Sequence, residues 1–142
     1  MKPSLRRVSK PRCYLVYALA PPGLPAREAN RIFNEYLGDP GLPLPLFHDH
    51  FIGQPGGVAV FFVESTSQRD ALLDNTSLQS WQVEIQPMIF AYSPAAFDEQ
   101  ASFTLRAYRG LDWEVLRREK RPSYGDPGRE AETAQEHDAR PS

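Results

Sequence analysis

The sequence predicts an α+β domain, and three observations support that prediction. Short apolar runs of strand length alternate along the chain with stretches whose apolar residues recur at helical spacing. The chain has 142 residues, of which 41% are hydrophobic and 11% aromatic, enough to build a core. Most of the 14 prolines stand where these runs begin or end, so they are expected to mark element boundaries.

The first predicted strand spans residues 14–19, a run of tyrosine, leucine, valine and alanine that two prolines and a glycine then stop. A helix is predicted over residues 25–37. Pro25 suits a first helical turn, apolar residues follow at helical spacing, and Gly38 is a natural terminator.

Two further strands are predicted over residues 46–52 and 58–63, joined by a glycine- and proline-rich hairpin connection. Ser65 and Gln68 have the spacing of a capping box and predict a short helix. Residues 81–86 alternate apolar and polar side chains, which predicts a fourth strand with one buried and one wet face.

The resulting order, β-α-β-β-α-β, is that of a ferredoxin-like four-stranded antiparallel sheet. Two helices on one side leave the other face of the sheet uncovered. On the central strands that face carries Leu15 and Tyr17, together with residues 58, 60 and 62 or residues 59, 61 and 63. Either set is apolar, so the face is expected to be covered by a second subunit or by extra C-terminal helices.

The C-terminal helices are predicted from a Ser93-Pro94 start, a stop at Gly110 and a last helix capped by Asp112. Together with the charge distribution this divides the chain into four parts. Residues 1–12 form a basic flexible arm of charge +5, and residues 13–92 a ferredoxin-like domain. Residues 93–121 form a helical extension, and residues 122–142 an acidic tail of charge −3 that is expected to be disordered.

Composition excludes several classes of protein. The single cysteine, Cys13, excludes an intramolecular disulfide framework and a multi-cysteine zinc site. There is no apolar run long enough to span a membrane and no secretory signal, so a cytoplasmic protein without membrane contact is predicted. Nucleic-acid recognition by the sheet is not expected, because Leu15, Val58 and Val60 stand where stacking aromatic residues would be needed.

The stretches FVES at 62–65, ALL at 71–73 and WQVEIQPM at 81–88 resemble the second half of dimeric α+β barrel proteins. Muconolactone isomerase-like and YCII-related domains show the same pattern of apolar spacing, and the resemblance covers about residues 13–92. It implies a homodimer whose two sheets pack face to face, with small ligands held between each sheet and its helices. The chain departs from the YCII-related group in one respect: its predicted first helix lacks the histidine of that group's His–Asp dyad.

His48 and His50 are the candidate catalytic residues, since they are two apart on a predicted strand and share one face. A histidine with an ordinary pKa can shuttle protons. No metal site is predicted, because Asp49 points to the other face and cannot be a third ligand. Asp49 is instead a candidate ligand-binding residue, with Tyr17, Glu84 and Tyr92.

Three functions remain open at this point, the third being nucleic-acid binding through the basic arm, and no motif identifies a cofactor. The first is a small-molecule-binding dimeric α+β barrel, with an isomerase- or monooxygenase-like enzyme as one form of it. The second is a non-catalytic interaction or scaffold subunit that docks onto a larger assembly through its C-terminal helices and termini. Whether the protein is an enzyme is left undecided by the sequence.

Overall fold

The computed structural model describes residues 10–119, so most of the predicted arm and all of the predicted tail lie outside the described residues. The elements are β1 (Arg12–Leu19), α1 (Ala26–Leu37), β2 (Leu44–His50), β3 (Gly56–Val63), α2 (Thr66–Asp74), β4 (Gln82–Pro87), α3 (Pro94–Arg109) and α4 (Trp113–Glu119). Within residues 10–119, no helix is long and apolar enough to cross a membrane.

The four strands form one antiparallel sheet in the order β2-β3-β1-β4, which confirms the predicted α+β class with a four-stranded antiparallel sheet. In the register of the two central strands, Leu15 pairs with Val60 and Tyr17 with Val58. Cross-strand partners point to the same face. The face of Leu15 and Tyr17 therefore carries residues 58, 60 and 62, and residues 59, 61 and 63 lie on the opposite face.

The opposite face, called here the helix face, carries the main core. Its fully buried side chains include Val16, Phe61 and Val63 from the strands, Phe33 from α1 and Leu72 from α2. The rings of Tyr36 and Trp81 pack against Phe33, with centroids 5.7 and 6.2 Å from it. An aromatic layer therefore joins α1 to the segment that leads into β4.

Both predicted serine caps are present. The hydroxyl of Ser65 accepts a hydrogen bond from the Gln68 amide at 3.2 Å, and that of Ser93 accepts one from the Ala96 amide at 3.0 Å. These contacts satisfy amides that have no partner within their own helices. Gly110 adopts a left-handed conformation with φ +65° and ends α3 as expected, because glycine takes that conformation without a steric penalty.

The second sheet face is covered at one end by the segment that follows β4. Cys13 and Val60 are buried there against Ala91, with Met88 and Phe97 packed alongside. The Cys13 amide donates to the Ala91 carbonyl at 2.6 Å, and the Met88 amide donates to the Cys13 carbonyl at 2.9 Å. The cover within the described residues is thus mainly a chain segment and the first turn of α3.

The remainder of α3 packs on α4. Trp113 Nε1 donates to Asp98 Oδ1 at 3.3 Å, and Arg117 forms an ion pair with the same carboxylate at 3.6 Å. Of the described side chains of α3, only Ala96 is buried. The sequence also placed Arg12 in the arm, whereas β1 begins at Arg12 and its guanidinium donates to the Met88 carbonyl at 2.6 Å.

Candidate functional site

His48 and His50 lie side by side on β2, an edge strand, and both face the helices. Their ring centroids are 5.3 Å apart, with the rings nearly perpendicular. His50 Nε2 lies 3.1 Å from Asn34 Oδ1, and its ring meets the edge of Phe33 at 5.8 Å. Because an amide oxygen can only accept, the Nε2 atom of His50 carries the proton in this contact.

Asp49 lies on the other face of the sheet, as its position between the two histidines predicts. Its carboxylate accepts a hydrogen bond from the backbone amide of His50 at 2.8 Å, so it acts on the main chain rather than on an imidazole ring. Among residues 10–119, no three histidine, cysteine, aspartate or glutamate side chains gather closely enough to hold a metal ion. Within residues 10–119 the histidine pair therefore lacks a complete ligand set for a metal ion.

Three of the candidate ligand-binding residues fall in a single row across the second face. Glu84 of β4 pairs with Tyr17 of β1, Tyr17 pairs with Val58 of β3, and Val58 pairs with Asp49 of β2. Neighbouring strands are about 4.8 Å apart, so Asp49 and Glu84 are roughly 14 Å apart at the backbone. That separation is too large for the two carboxylates to act as an acid–base pair on one bond, which needs roughly 5–9.5 Å.

Tyr92, the fourth candidate, is remote from this row. It lines a surface groove of about 270 Å³ between α3 and the segment before it, called here the α3 groove. The other lining residues are Phe90, Ala96, Glu99, Gln100, Phe103 and Arg106. The structure thus separates the candidate site residues into three places: the helix face of β2, the second sheet face and the α3 groove.

A second groove, called here the β4 groove, lies on the helix face at the opposite edge of the sheet from the histidines. Its volume is also about 270 Å³, and its walls combine apolar side chains with polar groups. It is lined by Tyr36, Leu72, Leu73, Asn75, Leu78, Gln79, Trp81, Val83 and Ile85. Three parts of the chain build it: α1, the end of α2 with the loop that follows, and β4.

Two residues that line the β4 groove carry hydrogen-bond donors that are not used within residues 10–119. Tyr36 and Trp81 are only 4% and 8% exposed, yet neither the hydroxyl nor the indole N–H makes a hydrogen bond to a described residue. The hydroxyl oxygen and the indole nitrogen themselves keep some contact with solvent, so both donors are accessible to a ligand. Both side chains are held in place by ring contacts with Phe33.

Burial also determines the protonation state of Tyr36. Removal of its ring from water raises the pKa of Tyr36 to about 12, because the phenolate would be poorly solvated there. At neutral pH the hydroxyl therefore carries its proton and can donate a hydrogen bond. Among residues 10–119, no imidazole, carboxylate or amine lines the β4 groove, so Tyr36 acts as a donor without a described base beside it.

The loop between α2 and β4 that forms one wall of the β4 groove is held by its own polar side chains. Asn75 Oδ1 accepts from the Ser77 amide at 2.8 Å, and Asn75 Nδ2 donates to Asp39 Oδ2 at 3.4 Å. At the end of this loop, the Trp81 amide donates a hydrogen bond to the Leu78 carbonyl at 2.9 Å and closes a further turn. This wall is thereby positioned before any ligand enters.

A comparison of the chain with protein-family models, curated proteins and solved structures found no match. The sequence pattern did not point to Tyr36 or Trp81, because an aromatic residue in an amphipathic helix or before a strand is ordinarily a core residue. Their lack of hydrogen-bond partners depends on chain segments that are far apart in sequence, and no local pattern reports it.

Proposed function

We propose that the protein binds a small, largely apolar molecule in the β4 groove. The observation that carries this proposal is a groove in which apolar side chains meet two donors, the Tyr36 hydroxyl and the Trp81 indole N–H, that make no hydrogen bond within residues 10–119. A ligand that offers an acceptor would satisfy groups that residues 10–119 leave unpaired, and this gain would add to the burial of its apolar surface.

The groove limits the size and chemistry of that ligand. Its volume of about 270 Å³ is just below the range of about 300–1,000 Å³ in which most small-molecule pockets fall. A molecule with a single ring and one carbonyl or other oxygen acceptor fits these dimensions. A neutral acceptor is favoured over a carboxylate, because none of the described residues that line the groove is a cation that could compensate a buried charge.

The strand order β2-β3-β1-β4, with helices after β1 and β3, supports the further proposal that the fold is ferredoxin-like. The resemblance to dimeric α+β barrels implies a ligand between sheet and helices, which is where the β4 groove lies. It also implies a dimer of face-to-face sheets, which the row from Asp49 to Glu84 disfavours. In such a dimer, the row of one copy would lie against the same row of the other copy. Asp49 would then face either Asp49 or Glu84, so acidic residues would meet in both alignments.

An isomerase- or monooxygenase-like reaction has less support than binding. Such an enzyme needs a group that takes up and returns a proton, and the candidate groups, His48 and His50, lie on β2 while the groove lies at β4. Phe33 contacts both His50 and Trp81, so one core residue links the two places, which lie at opposite edges of the sheet. The proposal is therefore a binding function.

Two ligands of nearly equal shape test the role of the donors: acetophenone, which has a carbonyl acceptor, and isopropylbenzene, which lacks it. Titration of each into the full chain is followed by NMR through the indole N–H signal of Trp81 and the amides of the loop before β4. Acetophenone is expected to bind more tightly, and Tyr36→Phe is expected to weaken it by up to about tenfold. Isopropylbenzene should bind equally to both proteins.

Tyr17→Phe is the matched control, because it removes a tyrosine hydroxyl from the second sheet face and leaves the groove intact. The proposal fails if acetophenone shifts no signal from the groove, or if Tyr36→Phe and Tyr17→Phe have the same effect. Because the Tyr36 hydroxyl makes no hydrogen bond to a described residue, its removal in Tyr36→Phe should not unfold the protein.

A second candidate function is favoured by a different observation. The α3 groove is open and bordered by aromatic side chains, of which Phe90 is 64% exposed. Exposed apolar clusters of this kind commonly mark protein interfaces. This supports an interaction subunit that docks through its C-terminal helices, the alternative that the sequence left open.

A further inference from the structure

The side of α3 that borders the α3 groove carries an acidic and a basic residue, one on each side of a central aromatic residue. Glu99, Phe103 and Arg106 lie along one side of the helix, with the acidic residue one turn before the aromatic ring and the basic residue one turn after it. At a rise of 1.5 Å per residue, Glu99 lies about 6 Å before Phe103 and Arg106 about 4.5 Å after it.

Neither of these charged side chains forms an ion pair within the described residues. Glu99 forms no ion pair or hydrogen bond there, and Arg106 donates only to the hydroxyl of Ser102, at 3.4 Å. The two are about 10 Å apart along the helix, too far for one to neutralise the other. Between them, the ring of Phe103 is 44% exposed and shares the groove with the exposed rings of Phe90 and Tyr92.

We propose that the α3 groove is a self-association surface, occupied by α3 of a second copy of this chain in antiparallel orientation. With a two-fold axis at Phe103, Glu99 of each copy lies opposite Arg106 of the other, and the mismatch along the helix is only about 1.5 Å. Each ion pair then forms twice, and the aromatic side chains that border the two grooves are buried against one another.

This inference rests on the second candidate function and names a second copy of the chain as the partner. It is independent of any ligand in the β4 groove. A second copy is favoured over an unrelated protein because one helix carries both complementary charges at matched distances from a central apolar residue. An unrelated partner would need only one sign of charge here, whereas a two-fold interface needs both.

The test uses charge reversal, followed by sedimentation of the full chain over a range of concentrations. Glu99→Arg and Arg106→Glu each set like charges against each other at two places, so each variant should self-associate at least about tenfold more weakly than the wild type. Mixing the two variants restores opposite charges at both places, so the mixture should form a heterodimer.

Arg27→Glu, on the exposed side of α1, is the control for a change in net charge and should leave self-association unaltered. Added salt should weaken the wild-type dimer only in part, because the aromatic contacts do not depend on ionic strength. A wild-type chain that stays monomeric at high concentration would overturn the proposal and leave the groove to a different partner. So would single variants that associate as the wild type does, or a mixture that fails to associate.

Discussion

Phe33 of α1 lies directly over Gly57 of β3. A Cβ atom added at Gly57 would lie 2.7 Å from Cε2 of Phe33 and 2.7 Å from the carbonyl oxygen of Asp49 on the neighbouring strand. Neither distance is sterically tolerable. The absence of a side chain at Gly57 therefore lets α1 approach the sheet closely enough for Phe33 to contact His50, Tyr36 and Trp81.

Gly57→Ala is accordingly expected to destabilise the protein. The Asp49 carbonyl belongs to the β2–β3 ladder and cannot move freely, so α1 or the strand must shift, at a cost of roughly 1–3 kcal/mol in the free energy of unfolding. Urea denaturation measures this. Gly53→Ala is the matched control, because nothing lies within 4 Å of a Cβ atom there. Equal stability of the two variants would contradict the close approach of α1 to Gly57.

Alkaline pH should reveal the burial of Tyr36. Its pKa is raised to about 12 in the folded state, so between pH of about 10 and 12 the unfolded chain loses a proton that the folded chain keeps. Stability is complete below that range and falls as the pH rises through it, by at most about 3 kcal/mol. Tyr36→Phe should remove this part of the decline in denaturation curves recorded at increasing pH. An unchanged decline would show that the phenol is solvated.

Cys13 should be protected from thiol reagents in the folded protein. Its side chain is fully buried, and burial raises the pKa of Cys13, which lowers the amount of reactive thiolate. The native chain at neutral pH is expected to react at least about 100-fold more slowly than the same chain in denaturant. Absorbance of the released reporter thiol measures both rates. Similar rates would mean that the segment of Met88 and Ala91 does not cover this strand.

The two serine caps should differ in their effect on stability although their chemistry is the same. Ser65→Ala is expected to lower the global free energy of unfolding by about 1 kcal/mol, because α2 carries Leu72 into the core. Ser93→Ala should mainly increase amide hydrogen exchange in α3, which buries little of its own surface. Ser77→Ala, at an exposed hydroxyl that makes no bond, is the control. A large global loss in Ser93→Ala would indicate that α3 is more tightly packed than its exposure suggests.

The elements were largely predictable from local signals. The serine caps, the stop at Gly110 and the end of β4 at Pro87 each depend on the conformational limits of one or two residues. The strand boundaries were less accurate: β2 spans Leu44–His50 rather than residues 46–52, and its pairing with β3 is irregular between Pro45 and Phe47. Such a register shift arises from cross-strand packing, which a pattern along one strand does not encode.

The candidate site was predictable only in part. Because side chains alternate along a strand, His48 and His50 were expected on one face of the sheet and Asp49 on the other. The structure confirms this arrangement. Their catalytic role remains a prediction, as do the ligand-binding roles of Tyr17, Glu84 and Tyr92. Which strands would bring Tyr17, Asp49 and Glu84 into one row depended on sheet order and register, and these are fixed by contacts between distant segments.

By itself, the sequence determined the α+β class, the four strands and the caps and stops of the helices, because these follow from periodicity and from the backbone limits of proline, glycine and serine. The tertiary structure alone decided where unpaired donors and unpaired charges come together. Tyr36 and Trp81 meet at the β4 groove because α1 packs over Gly57, and Glu99 and Arg106 stay unpaired because α3 leaves the sheet after its first turn. Hydrogen bonding and burial are properties of three-dimensional neighbours, so no single stretch of the chain could have shown them.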